Sequence, residues 1–238
     1  MSHLSSLINA EARHREFVYD KFKDKLELLE RNTELFFQCL NKAKECIIKR
    51  EDENYHRVFV TMAMKINSDV RVIFHSVFNG WYGTGYSLIR EIDDALIKII
   101  FISRFPNESV KVVNDRINSD TSRKRLKNEK INSQLDHNSW GIISELKHAD
   151  SEFIWKYGEN TSENIKFRFR PNPNDAETEF LLAAASVFLI DVSRYYRKYY
   201  LEKYGNKFID QSFNSSFIHL EKITSEVINE MNRRFQKI

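Results

Sequence analysis

At 238 residues, with 42% hydrophobic and 13% aromatic residues, the chain can bury a sizeable core, which argues against a disordered protein. Three prolines and six glycines against 30% charged residues argue against a turn-rich β architecture and favour long helices. A formal net charge of +3 does not indicate nucleic-acid binding unless the basic residues cluster locally. We therefore expect an all-α protein, with an N-terminal long helical segment at 1–52 and a helical-bundle domain at 53–238.

The sequence predicts a cytoplasmic location and no membrane segment. Cys39 and Cys46, on one predicted helix, are about 10 Å apart, too far for a disulfide, so we expect both thiols to be reduced. The N-terminus lacks the basic start and apolar run of a signal peptide. The longest apolar run, Phe180 to Ile190, reaches about half of the roughly 20 residues that a membrane helix needs.

The first half of the chain reads as long helices. From about Leu4 to Lys49 we expect one helix, or two joined near Arg31–Thr33, and the first part could project from the core. A second helix is predicted from about Tyr55 to Phe78. Asn79 and Gly80 should stop it, because glycine takes the left-handed conformation that other residues avoid.

The chain then enters the stretch from Asn79 to Phe105, around which we expect it to be organised. Apolar residues recur there at the three- and four-residue spacing of a helix face, and Pro106 closes the helix. Set into this apolar pattern are Arg90, Glu91, Asp93 and Asp94.

These charges admit two interpretations. In the structural one, Asp94 pairs along the helix with Arg90 and Lys98 and stabilises an exposed face. In the functional one, Arg90 and Glu91 point into a groove, where a guanidinium can hold a phosphate through two hydrogen bonds.

The second half of the chain is more varied. The sequence predicts short exposed helices over 107–130, a loop over 132–139, and a helix from Trp140 to His148. Alternation of apolar and basic residues at 165–170 is typical of a short strand, so a small β element is expected there. Two helices should follow, from about Glu177 to Tyr204 and from Ile209 to Phe235.

The chain has seven histidines, the side chain that can exchange protons near neutral pH. His148, at a predicted helix end, is either a cap residue that interacts with the helix dipole or an acid–base catalyst. His75 follows Arg71 by one turn. Polar surroundings predict exposure of four others: His14, His56, His137 and His219. No recognised metal-ligand spacing is present. Gly80, Gly83 and Gly85 do not predict a phosphate loop, because such a loop follows a strand and these glycines follow a helix.

The sequence contains two basic clusters, and the second of them could contact RNA. The first is Arg123 to Lys127. The second comprises Lys166, Arg168 and Arg170, interleaved with aromatic residues that can stack on bases. The alternative for the second cluster is a solvated edge whose charges prevent aggregation. The tyrosines at 195, 196, 199 and 200 are interpreted as helix packing, with their hydroxyls at the surface.

The central motif resembles the HEPN superfamily, and more narrowly the HEPN-like helical proteins of bacterial phage-defence and abortive-infection loci. The similarity covers roughly Phe59 to Ala149. It rests on Gly80, Tyr82, Gly85, Tyr86, Leu88, Arg90, Glu91 and Ala95, and on the later string from Ser144 to His148.

The resemblance implies a helical bundle, often dimeric, and in many members a metal-independent ribonuclease. In those members an arginine and a histidine act on the scissile phosphate while the 2′-hydroxyl attacks. The usual spacing, an arginine followed after four to six residues by a histidine on one helix, fits only Arg50 and His56. These two straddle a predicted connection, and Arg71 and His75 are one residue too close.

We therefore expect an RNA-directed effector that needs no cofactor. Arg90 would hold the phosphate, His148 would be the acid–base, and Glu91 and Glu145 would orient them. Three further residues would bind RNA: Lys147, Arg168 and Arg170. Expected partners are RNA, a protein from the same locus and a second copy of the chain. The alternative is a non-catalytic helical protein-interaction module.

Overall fold

Long helices carry most of the described chain, as the composition predicts. A computed structural model describes residues 3–131, 158–160, 165–167, 175–204 and 210–235. The elements before residue 105 are α1 (His3–Lys21), α2 (Lys23–Lys44), a 3-10 turn (Arg50–Asp52), α3 (Glu53–Asn79) and α4 (Tyr82–Arg104). A 3-10 turn (Pro106–Glu108), α5 (Ser109–Val113) and α6 (Ser119–Asn128) follow. The last are α7 (Asp175–Tyr195), a π-helical turn (Tyr196–Leu201), α8 (Glu202–Tyr204) and α9 (Gln211–Phe235). The prediction of an all-α bundle is confirmed.

Two three-residue strands interrupt the helical pattern. Gly158–Asn160 and Ile165–Phe167 pair antiparallel, with Gly158 opposite Phe167. The second of these strands coincides with the first half of the 165–170 stretch, where a small β element was expected. The predicted loop at 132–139 and the predicted helix from Trp140 to His148 lie outside the described residues.

The hairpin of α3 and α4 is built as the sequence predicts. Gly80 ends α3 with a φ of 71°, and the amide of Trp81 donates to the carbonyl of Ser76 at 2.8 Å. Gly83 and Gly85 lie inside α4 and form no phosphate loop. A Cβ at Gly85 would lie 2.8 Å from a methyl carbon of Leu181, so this glycine permits the close approach of α4 to α7.

Helix α7 lies at the centre of the bundle. It packs against α2, α3, α4 and α9, and buried residues lie on every side of it. A helix that is apolar around its circumference is a buried helix, and this explains the apolar run from Phe180 to Ile190, in which Ser186 is the one polar residue. Among the described residues, no helix is both long enough and apolar enough to cross a membrane.

The N-terminal segment does not stand apart from this core. Leu35, Phe36 and Cys39 of α2 are buried in the same apolar cluster as α7. The buried Asn32 amide donates to the carbonyl of Ser186 at 3.3 Å and to the hydroxyl of Thr224 at 3.1 Å. The core is therefore continuous across residue 52, the predicted domain boundary.

The break between the first two helices falls at Phe22, so its predicted position near Arg31–Thr33 is wrong. Phe22 has a non-helical backbone, with φ −117° and ψ 26°, and its side chain is buried. Asn32, which suggested a break, is instead buried within α2 because its amide has partners on α7 and α9.

His14 is buried, although its polar neighbours in sequence predicted exposure. It is 2% exposed, and its Nε2 donates to the carbonyl of Val77 at 2.9 Å. The Tyr82 hydroxyl lies 3.3 Å from the same nitrogen and 2.9 Å from the Thr178 hydroxyl. Burial lowers the pKa of His14, and the hydrogen bond to Val77 offsets this only in part. His219 is exposed, as predicted.

The protein is expected to lose stability as the pH falls from 7.5 to 5.5. His14 and His56 both have a pKa lowered by burial, so the unfolded chain, whose histidines titrate near 6.5, binds more protons than the folded one in this window. Stability from these residues is present above pH 6.5 and is lost on acidification. Urea denaturation at several pH values measures it. His14→Gln, which keeps a donor but cannot titrate, should flatten the slope; an unchanged slope would contradict the assignment.

Candidate functional site

Asp93 and Asp94 of α4 form ion pairs with a residue of another helix. Asp93 is 0% exposed, and its carboxylate accepts from Nη2 of Arg123 on α6 at 2.6 Å. The same nitrogen lies 2.6 Å from the carboxylate of Asp94. Burial alone would lower the pKa of Arg123, but the hydrogen bonds and charges of Asp93 and Asp94 outweigh it and raise the pKa. This ion-pair cluster links α4 to α6.

The cluster corrects two interpretations of the sequence. In one interpretation of the sequence, Asp94 pairs along its own helix with Arg90 and Lys98. In the structure it pairs with Arg123 of α6. The basic run from Arg123 to Lys127 is also not a uniform surface. Arg125 lies over the rings of Phe101 and Phe105, at 5.0 and 4.6 Å from their centroids. The first and third residues of the run therefore face the protein, and Lys124 and Lys127 are exposed.

Arg90 and Glu91 lie on the partly exposed face of the α3–α4 hairpin. Glu91 accepts from the ammonium of Lys65 on α3 at 2.9 Å, and Lys65 also binds Asp69 at 2.7 Å. Burial lowers the pKa of Lys65 less than its two hydrogen-bonded carboxylates raise it, so the pKa rises. Arg90 is partly exposed and interacts within the chain. On this face Lys65, Arg90 and Glu91 are partly exposed, and Asp69 is buried beneath Lys65.

The other predicted site residues lie outside the described residues. They are Glu145, Lys147, His148, Arg168 and Arg170. Of the proposed catalytic residues, the structure therefore describes Arg90 and Glu91, which are neighbours in the sequence.

The two alternative arginine–histidine pairs occupy different environments. Arg50 is exposed in the 3-10 turn that precedes α3, and His56 lies in the first turn of α3. The Nδ1 atom of His56 is hydrogen-bonded to the hydroxyl of Tyr200, so His56 is partly buried where exposure was predicted. Arg71 and His75 are both exposed, one turn apart on α3.

Beside His56 lies a cavity of about 310 Å³ that the sequence did not reveal. Helix α2, its C-terminal extension, α3 and the π-helical turn line it. Tyr196 and Tyr200 are 0% exposed, so the prediction that their hydroxyls reach the surface is wrong. A π-helical turn in a helix often marks a functional site. The four-residue spacing of the tyrosines indicated a packed helix face, but the other residues that line the cavity come from distant segments of the chain.

Comparison of the chain with protein-family models, with curated proteins and with solved structures finds no match. The similarity to HEPN-like proteins thus rests on the residues of the central motif.

Proposed function

We propose that this chain is an RNA-directed effector of bacterial defence, a HEPN-like ribonuclease that works without a metal. One observation carries the proposal: Asp93 and Asp94 are engaged with Arg123, whereas Arg90 and Glu91 lie on a partly exposed face beside Lys65. Asp93 and Asp94 thus bind Arg123 of α6, and the partly exposed Arg90 and Glu91 are the charged residues of the motif that we assign to RNA.

The proposed chemistry uses an arginine and a histidine. The Arg90 guanidinium binds the non-bridging oxygens of the scissile phosphate and stabilises the charge that develops there. His148 takes the proton of the 2′-hydroxyl as its oxygen attacks phosphorus, and a proton is returned to the departing 5′-oxygen. The products are a 2′,3′-cyclic phosphate and a 5′-hydroxyl. Glu91 and Glu145 orient the two side chains, and Lys147, Arg168 and Arg170 bind the RNA backbone.

The test is incubation of the purified protein with total RNA and with tRNA in the presence of EDTA. The wild type is expected to cleave RNA and leave 2′,3′-cyclic phosphate ends. Arg90→Ala and His148→Ala should each reduce the rate by about 100-fold or more, because each removes a group that acts in the transition state. Circular dichroism and thermal melting establish that the variants are folded.

A matched control comes from Arg71 and His75, which are both exposed on α3. Arg71→Ala and His75→Ala remove the same side-chain types from the surface of α3, and both variants should keep wild-type activity. Full activity in Arg90→Ala or in His148→Ala would overturn the assignment. Loss of activity in Arg71→Ala and His75→Ala alone would move the site to α3.

A second function, a non-catalytic protein-interaction module, is supported by a different observation. Helix α1 exposes Leu4 and Ile8, 66% and 55% accessible and one turn apart, and Glu91 already has a partner in Lys65. Such a face could pack against a protein from the same locus or against a second copy of the chain. A folded wild type that cleaves no RNA in the assay above would favour this function.

A further inference from the structure

Helix α1 is joined to the rest of the bundle through a bend of one residue. Phe22 alone separates α1 from α2, and its backbone has a φ of −117° and a ψ of 26°. Its amide donates to the carbonyl of Val18 and its carbonyl accepts from the amide of Leu26, both at 3.0 Å. A few backbone angles at the end of a helix are enough to absorb a change of direction. Phe22 is therefore a hinge about which α1 can turn while α2 stays in place.

Few buried side chains hold α1 against the bundle. His14 and Val18 are its buried residues, whereas α2, a helix of similar length, buries eight. Glu11 and Arg15 also form solvent-exposed hydrogen bonds with side chains at the α3–α4 turn, at 3.2 and 2.8 Å. Such bonds replace bonds to water and add little net stability. Segments with few buried apolar contacts open more readily than the core, so α1 can separate from the bundle without unfolding it.

His14 is the buried residue of α1 that can take up a proton near neutral pH. The carbonyl of Val77 can only accept a hydrogen bond, so the Nε2 atom of His14, 2.9 Å away, carries the hydrogen of the neutral ring. A second proton must therefore bind to Nδ1. This atom is buried and has no hydrogen-bond partner among the described residues. Protonation of His14 thus places a charged donor without an acceptor inside the fold, which is unfavourable.

The groups that face His14 are neutral. The ring of Phe17 on α1 lies 5.7 Å away, and the ring of Tyr82 on α4 approaches edge-on at 5.9 Å. From α7, the hydroxyl of Thr178 is hydrogen-bonded to that of Tyr82. Burial lowers the pKa of His14, as expected of a ring that no carboxylate binds. None of the charged or titratable residues closest in sequence to these contacts pairs with it, namely Glu11, Arg13, Arg15, His75, Asp175, Glu177 and Glu179.

We propose that α1 is a pH-sensitive arm: protonation of His14 releases α1 from the α3–α4 hairpin about the hinge at Phe22, while the rest of the bundle stays folded. Release uncovers the ring of Phe78, on which Tyr19 packs at 4.8 Å, and the hydroxyl of Tyr82 at the start of α4. A solvated histidine titrates near 6.5, so the arm is docked above this pH and is increasingly released below it. The switch does not depend on whether the chain cleaves RNA.

The test is hydrogen exchange of the full chain, followed by mass spectrometry at pH 7.5 and 5.5 and corrected for the intrinsic effect of pH on exchange. Release takes up one proton with a pKa near 6.5, so the protection of α1 amides should fall about tenfold between the two pH values. Protection in α1 should also be lower than in α2 and α7 and less sensitive to urea, because release exposes little surface. Exchange of α1 together with α2 and α7 would overturn the proposal, as would α1 protection that is independent of pH.

Two histidine variants assign the proton. His14→Gln keeps a side-chain donor for Val77 but cannot titrate, so the protection of its α1 should be equal at the two pH values. His56→Gln removes the other histidine whose pKa burial lowers, and it should leave the tenfold fall in α1 unchanged. A tenfold fall in His14→Gln, or its loss in His56→Gln, would overturn the proposal.

An NMR titration of the wild-type histidine rings keeps the assignment testable if glutamine does not hold α1 in place. The docked arm holds the neutral ring, so His14 should titrate below 6.5. Titration of His14 at 6.5 or above would overturn the proposal.

Discussion

Replacing Arg123 by alanine is expected to lower the free energy of unfolding by about 3–5 kcal/mol, because removal of one partner leaves a buried charge poorly compensated. The carboxylate of Asp93 is fully buried and lies 2.6 Å from the Arg123 guanidinium. Asp94 loses the same partner. Urea denaturation followed by circular dichroism measures the loss.

The neighbouring residue provides the control for this prediction. Lys124 is exposed on the same short helix, so Lys124→Ala should change stability by less than about 0.5 kcal/mol. Adding Asp93→Asn to Arg123→Ala should restore part of the lost stability, since an amide carries no charge to desolvate. Equal losses in Arg123→Ala and Lys124→Ala would show that the ion-pair cluster does not stabilise the fold.

A chain that begins at Glu53 is expected not to fold cooperatively. The sequence predicts a domain at 53–238, but α2 covers one side of α7 with Leu35, Phe36 and Cys39. Without α2, a helix that is apolar on all sides would face water along much of its length. The measurement is the thermal transition of the truncated chain beside that of the full one.

A shorter truncation separates the contribution of α1 from that of α2. A chain that begins at Lys23 loses His14 and Val18, the buried residues of α1, but keeps α2. It should still melt in one cooperative transition, at a lower temperature than the full chain. A cooperative melt with native helix content in the chain that begins at Glu53 would restore the predicted boundary at residue 52.

The sequence was sufficient where a feature depends on its near neighbours. The end of α3 at Gly80 follows from one residue's backbone freedom, and the structure confirms it. The predicted limits of α3 and of the last helix lie within two residues of the observed ones, because periodic apolar residues and breakers define them locally.

The sequence was insufficient where the interaction partners of a residue come from distant parts of the chain. His14 has a polar sequence neighbourhood, yet Val77 and Tyr82 surround it in the fold. Arg123 belongs to a basic run, and only the packing of α6 on α4 reveals its role. The cavity is formed by three separate segments of the chain, so no single sequence motif could have predicted it. For Arg90 and Glu91, the predicted role on RNA stays a prediction.

The packing of α2 on α7 also has a consequence for synthesis on the ribosome. Asn32 and its acceptor on Ser186 are 154 positions apart in the chain. At about 5–20 residues per second, this distance corresponds to about 8–30 s of translation. During that interval Leu35 and Phe36 have been made but the surface that buries them has not. The nascent chain must therefore carry an exposed apolar helix for many seconds, which makes it a natural client for chaperones that bind near the exit tunnel.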